Sequence, residues 1–185
     1  MSLQKLRRDL GLTEQQKKDL AVSVLPITNR GIILVSEFQP GQDVIWKVPG
    51  GRGQMDPETG KPETPKKAGI RELNEETRLN EYGIHISESD LRLWHRGEPY
   101  SGYLRNHPSP HWKKLFVVGG MIYLPDDYIE AIETGKARGK EDGEWISVFS
   151  VPEVLSMQNI LDLHREAFRP LLERANAELP VNRAR

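Results

Sequence analysis

The chain has 185 residues, 37% of them hydrophobic, which is enough for one substantial core and too few for two independent ones. Its 26 Lys and Arg balance 27 Asp and Glu, so a net charge of -1 gives no general reason to expect binding to nucleic acid or an anionic membrane. With no cysteine, disulfides and thiolate zinc sites are excluded, and a reducing cytoplasmic setting is expected. No stretch approaches the ~20 apolar residues of a membrane helix, and Met1 to Leu20 lacks the apolar segment of a signal peptide, so a soluble, unprocessed protein is expected.

In chain order, the leucines of residues 3–20 and the Thr13-Glu14-Gln15-Gln16 capping pattern predict short helical pieces, an N-terminal helical arm over 1–20. Residues 21–28 and 31–37 are rich in Val, Ile and Leu around Asn29-Arg30-Gly31, which predicts a hairpin. A third strand over 45–48 runs into a Pro49-Gly50-Gly51 turn, and the Pro-rich stretch 53–65 reads as loop. Thr64 as N-cap and Pro65 at the first helical position start a helix expected to reach about Leu79. Strands are predicted over 91–97, 114–123 and 145–149, with a loop holding Tyr100, Tyr103 and Trp112 between the first two. Short helices follow over 126–134 and 151–157. A longer amphipathic helix, marked by Ile160 to Ala175 and kinked at Pro170, precedes a flexible tail over 179–185.

The chemistry concentrates in the helix after the Pro-Gly-Gly turn. At about 100° per residue, Glu72, Glu75 and Glu76 share roughly a third of its circumference, while Ile70, Leu73 and Thr77 face the other way. Oxygen donors at this spacing suit Mg²⁺ or Mn²⁺, which favour carboxylates, carbonyls and water and leave coordination positions for substrate phosphates. A merely solvated acidic face is the plain alternative, since like charges at i,i+4 cost an isolated helix only about 0.2–0.5 kcal/mol.

The order of residues around that helix resembles the Nudix hydrolases, whose box reads G-x5-E-x7-R-E-U-x-E-E-x-G-U with U a bulky aliphatic residue. Glu63 stands eight positions before Arg71, and Arg71-Glu72-Leu73-Asn74-Glu75-Glu76 fills the helical half. Two positions depart: eleven residues separate Gly51 from Glu63, and Arg78 stands where the box closes on glycine. Arg78 would pay for a left-handed conformation, so either a longer helix towards Gly83 or a rebuilt turn is expected.

The resemblance implies an α/β (α+β) fold, a Nudix-like α/β/α sandwich with a mixed central sheet, over residues 21–178. It implies a pyrophosphohydrolase with Glu72, Glu75, Glu76 and the Gly51 carbonyl as ligands of Mg²⁺ (or Mn²⁺), Glu75 also as a candidate for activating water, and Glu63 paired with Arg71 for structural support. A general base from a late loop makes Glu141 and Glu144 candidates, with Glu133 as a further one. Trp46, Tyr100, Tyr103 and Trp112 are candidates to stack on the base of a small-molecule nucleotide, and Arg52 and Arg96 to meet its phosphate. The flanking pattern resembles the ADP-ribose pyrophosphatase branch, which implies AMP and ribose 5-phosphate as products. Nucleoside triphosphates, dinucleoside polyphosphates, a non-catalytic nucleotide sensor and a homodimer built on residues 3–20 or the C-terminal helix stay open.

Other signals fail on physical grounds. His107 and His111 are spaced i,i+4, but Pro108 and Pro110 forbid the helix that would bring them onto one metal. Gly60-Lys61 lacks the glycine and hydroxyl residue of a P-loop, and no nucleophile elbow is present.

Overall fold

The structure, a computed structural model, describes residues 11–37, 44–93, 101–103, 110, 112–140, 144–160, 169 and 172–173. A mixed eight-stranded sheet lies between two apolar layers. The chain enters through a short helix, α1 (Glu14–Lys18). Thr13 caps it, with its hydroxyl accepting from the Gln16 amide while the Gln16 side chain accepts from the Thr13 amide. Leu12 and Gln16 are buried, so this end of the expected arm packs onto the sheet.

The expected hairpin forms from β1 (Leu20–Thr28) and β2 (Gly31–Glu37), with Thr28 opposite Gly31. Along β1 every residue is buried because both faces are covered. Val22 and Val24 point to one layer with Ala68, Leu73 and Tyr128, whereas Ala21, Leu25 and Ile27 point to the other with Val151, Val154 and Leu172. Pro26 falls between the part of β1 paired to β4 and the part paired to β2, where that edge has no ladder bond to lose. β3 (Ile45–Lys47) pairs with the end of β2, and β8 (Ile146–Phe149) with its other edge. β7 (Phe116–Tyr123) runs parallel to β1 from Leu20↔Phe116 to Ile27↔Tyr123, which makes the sheet mixed as the resemblance implied.

Four expectations are corrected. Gly50 and Gly51 are not a turn but part of β4 (Gly50–Arg52), antiparallel to β1, because residues without Cβ can lie against that backbone; a Cβ on Gly50 would stand 2.3 Å from the Val22 carbonyl oxygen. Ser101 to Tyr103, read as loop, form β6 (Ser101–Tyr103) on β7, through backbone pairing that no hydrophobic run announces. The acidic helix, α2 (Pro65–Thr77), ends two residues early because Arg78 adopts the left-handed conformation, φ 53° and ψ 30°. Ile160 makes an isolated parallel bridge with Trp46 instead of opening a helix.

The strand expected over 91–97 is observed as β5 (Arg92–Leu93), and residues 94–97 lie outside the described set. Helices α3 (Asp127–Glu133) and α4 (Val151–Ser156) follow the expected positions. Pro170, most of the C-terminal helix and the tail are outside the described residues. Among the described residues no helix is long and apolar enough to cross a membrane.

Candidate active site

α2 begins where the sequence dictates: the Thr64 hydroxyl accepts from the Lys67 amide, and Pro65 fills the first turn. Ala68, Leu73 and Thr77 bury one side of the helix, which turns the glutamate side towards β3 and β4. Glu72 and Glu76 are each only 8% exposed, so this is no solvated acidic face.

The two glycines of β4 form the opposite wall. A Cβ on Gly51 would lie 2.4 Å from both Cδ and Oε2 of Glu72 and 2.5 Å from Oε1, so the carboxylate occupies the space a side chain would need. The Gly50 amide donates to Glu76 Oε2 at 2.9 Å, and Lys47 Nζ donates to Glu76 Oε1 at 2.8 Å. Arg71 gathers the remaining carboxylates. Its Nε and Nη2 donate to Glu63, its Nη1 donates to Glu72 Oε1 at 2.7 Å and Glu75 Oε1 at 3.2 Å, and Nη2 also reaches the Arg52 carbonyl at 2.7 Å. From the loop after α3, Lys140 Nζ donates to Glu75 Oε2 at 3.2 Å.

These contacts give the neighbouring carboxylates opposite electrostatics. Burial raises Glu76 above its ordinary value, against the opposing pull of Lys47 and the Gly50 amide. Burial also acts on Glu75, but hydrogen bonds from Arg71 and Lys140 outweigh it and hold that carboxyl below the ordinary value. Arg71 and Lys47 are penalised by burial too, yet their carboxylate partners keep both cations above their usual range.

Glu63, Arg71, Glu72, Glu75, Glu76 and Gly51 therefore form one contiguous constellation. Each helix glutamate is held by a cation or an amide, and among the described residues no three acidic or imidazole groups stand together as a ready-made metal cage. The donor set is all oxygen and fits a hard divalent cation, provided the side chains turn from their present partners.

Trp46 is not brought to this site. It packs edge-on to Phe149, 4.9 Å between ring centroids, because alternate residues of β3 face opposite sides of the sheet and Lys47 takes the glutamate side. Arg52 is exposed and contributes its carbonyl to Arg71. Glu144 acts on the charge of Lys47, whereas Glu133 is taken up by Arg30 at the β1–β2 turn. The backbone of Trp112 lies in a single 3-10 turn, and that of Tyr103 in β6. Glu141, Arg96 and Tyr100 lie outside the described residues. Sequence reasoning missed Lys47, Lys140 and the Gly50 amide. Strand alternation across Trp46-Lys47 was the available signal for Lys47; Lys140, 65 residues from its partner, carried none.

The family described as NUDIX domain matches residues 17–171. Among solved structures, the MutT protein of Methanosarcina mazei Go1 is 18% identical with a TM-score of 0.50, the match covering 85% of this chain and 94% of that one. The bifunctional NMN adenylyltransferase/ADP ribose pyrophosphatase of Francisella tularensis, complexed with AMP and Mn ion, is 20% identical with a TM-score of 0.47; the match covers 85% of this chain but only 42% of that longer one. A C. elegans Ap4A hydrolase is 13% identical with a TM-score of 0.48, covering 85% and 98%. No curated protein matches the sequence. With a family match over most of its length and helix α2 setting Glu72 and Glu76 against the Gly50-Gly51 strand of a mixed sheet, the chain belongs to the Nudix family.

Proposed function

We propose that this Nudix pyrophosphohydrolase cleaves a nucleoside diphosphate linked to another moiety, with ADP-ribose as substrate and AMP and ribose 5-phosphate as products. The observation that carries the metal-dependent chemistry is the burial of Glu72 against Gly51 and of Glu76 against Gly50, two carboxylates kept out of bulk water. Support for ADP-ribose comes from the sequence resemblance of the hairpin from Val24 through Pro49-Gly50-Gly51 and of Glu144-Trp145-Ile146 with the helix after it.

Glu72, Glu76 and the Gly51 carbonyl would hold a Mg²⁺ or Mn²⁺ ion, with Glu75 at a second ion or at the attacking water. When bound, such an ion neutralises phosphate charge and lowers the pKa of coordinated water. Arg71 keeps Glu72 and Glu75 aligned and ties the helix to the loop through Glu63. Attack by water forms one P–O bond as the bridging P–O bond breaks. The water proton passes to a carboxylate, for which Glu75, Glu144 and Glu141 are the candidates, and the bridging oxygen leaves with the other phosphate.

Incubation with ADP-ribose, nucleoside triphosphates and dinucleoside polyphosphates, each with Mg²⁺ or Mn²⁺ and product identification, tests this reading. AMP and ribose 5-phosphate from ADP-ribose are expected. Preferential turnover of another nucleotide would overturn the substrate while keeping the chemistry, and tight nucleotide binding indifferent to EDTA without products would identify a sensor instead.

A further inference from the structure

The least expected contact in the site is the one between Lys47 and Glu76. The lysine side chain is 19% exposed, its ammonium is 2.8 Å from Glu76 Oε1, and Glu37 Oε2 stands 4.0 Å away on the neighbouring strand. The other oxygen of Glu76 is taken by the Gly50 amide, which is part of the backbone of β4 and cannot leave without breaking the strand. Lys47 alone is on a flexible four-carbon stem.

We propose that Lys47 is a placeholder cation, its ammonium occupying the Glu76 carboxylate in the metal-free protein and moving to a substrate phosphate when a divalent cation takes that carboxylate. This inference rests on the metal-dependent reading above. A divalent ion at Glu76 Oε1 would meet the ammonium at contact distance, and the two positive charges repel. The displaced ammonium keeps an anionic neighbour in Glu37, so it has somewhere to lean before substrate arrives.

Charge balance points the same way. Among the described ion pairs, the carboxylates of Glu37, Glu63, Glu72, Glu75 and Glu76 share the cations of Lys47, Arg71 and Lys140. A divalent ion adds positive charge among these carboxylates, and an incoming diphosphate calls for more. The released Lys47 supplies it at the wall of the site, on the glutamate side of β3. Metal and phosphate thereby bind cooperatively, each favouring the position of Lys47 that the other requires.

Manganese binding to the full chain without substrate, followed by electron paramagnetic resonance, tests the idea on wild type, Lys47→Gln and Lys47→Arg. Gln keeps a hydrogen-bond donor for Glu76 but removes the competing charge. If the ion pair is closed about nine-tenths of the time, Lys47→Gln binds Mn²⁺ about tenfold more tightly, whereas Lys47→Arg stays near wild type. At saturating Mn²⁺ the same Gln variant shows a KM about tenfold higher for the nucleotide that wild type turns over, and Arg restores it. General damage to the site would weaken metal and substrate together, so opposite shifts distinguish the placeholder from a structural ion pair.

The wild-type protein gives an independent reading through the side-chain ¹⁵N resonance of Lys47. Addition of Mg²⁺ is expected to move that resonance, and EDTA to return it. A Lys47→Gln protein with unchanged or weaker Mn²⁺ affinity, or a Lys47 resonance indifferent to Mg²⁺, overturns the proposal while leaving the metal-dependent reading intact. Wild type that takes up no Mn²⁺ at all overturns that reading itself.

Discussion

The Glu72 carboxylate lies over Gly51 so closely that a Cβ there would approach its Cδ to 2.4 Å. Strand β4 and helix α2 are therefore fitted to each other through the absence of a side chain. Gly51→Ala is expected to push Glu72 from its position and reduce kcat/KM by about 100-fold, the scale of an ångström-sized misplacement at a catalytic centre. Steady-state kinetics with each metal checks this, and a circular-dichroism melt confirms that the variant is folded.

Arg71 bonds Glu63, Glu72, Glu75 and the Arg52 carbonyl at once. Its planar fork serves several acceptors that an ammonium cannot, so Arg71→Lys is not a conservative change. Since these groups are partly exposed, loss of the hub is expected to cost about 1–3 kcal/mol, well short of a fully buried pair. Urea denaturation of Arg71→Lys and Arg71→Gln in EDTA measures it.

Glu75 and Glu76 give opposite pH dependences in the metal-free protein. Glu76 is raised above 4.5, so the folded state retains its proton longer; its stability contribution is present at low pH and is lost as pH rises through the raised value. Glu75 is lowered below 4.5, so its contribution is present above that value and is lost as pH falls through the folded one. Denaturation of wild type, Glu75→Gln and Glu76→Gln across about pH 4 to about pH 7 should show the wild-type advantage over Glu75→Gln growing with pH and that over Glu76→Gln shrinking.

Arg78 is the sole non-glycine residue with positive φ among the described residues, and its Nη2 donates to the Lys140 carbonyl at 2.9 Å. Left-handed backbone costs an L-residue about 1–2 kcal/mol, partly offset here by that bond. Arg78→Gly should change stability by less than about 1 kcal/mol, because relieved strain and the lost bond oppose each other. Arg78→Val, β-branched and unable to make the bond, should cost about 2 kcal/mol. Thermal unfolding of the two variants separates these outcomes.

The sheet and acidic helix were legible because burial imposes periodicity. The hairpin shows in its two apolar runs, and α2 in Thr64-Pro65 and the side on which Leu73 falls. β4 and β6 were not legible: each is three residues long, contains glycine and exists through its partner's backbone. The turn at Arg78 was read through local propensity, which here yields to the chain path into the buried Leu79 and the bond to Lys140. At the site, the glutamates announce themselves by spacing, but their counter-cations do not. Lys47 and Lys140 are 29 and 65 positions from the carboxylates they hold, and only the folded topology joins them.

Release of AMP from ADP-ribose with Mg²⁺, compared between wild type and Glu76→Gln at equal concentration, probes the role of the helix glutamates most directly. The variant should retain no more than about one-hundredth of wild-type kcat/KM while unfolding cooperatively like its parent. A folded Glu76→Gln protein that hydrolyses as fast as wild type would contradict it.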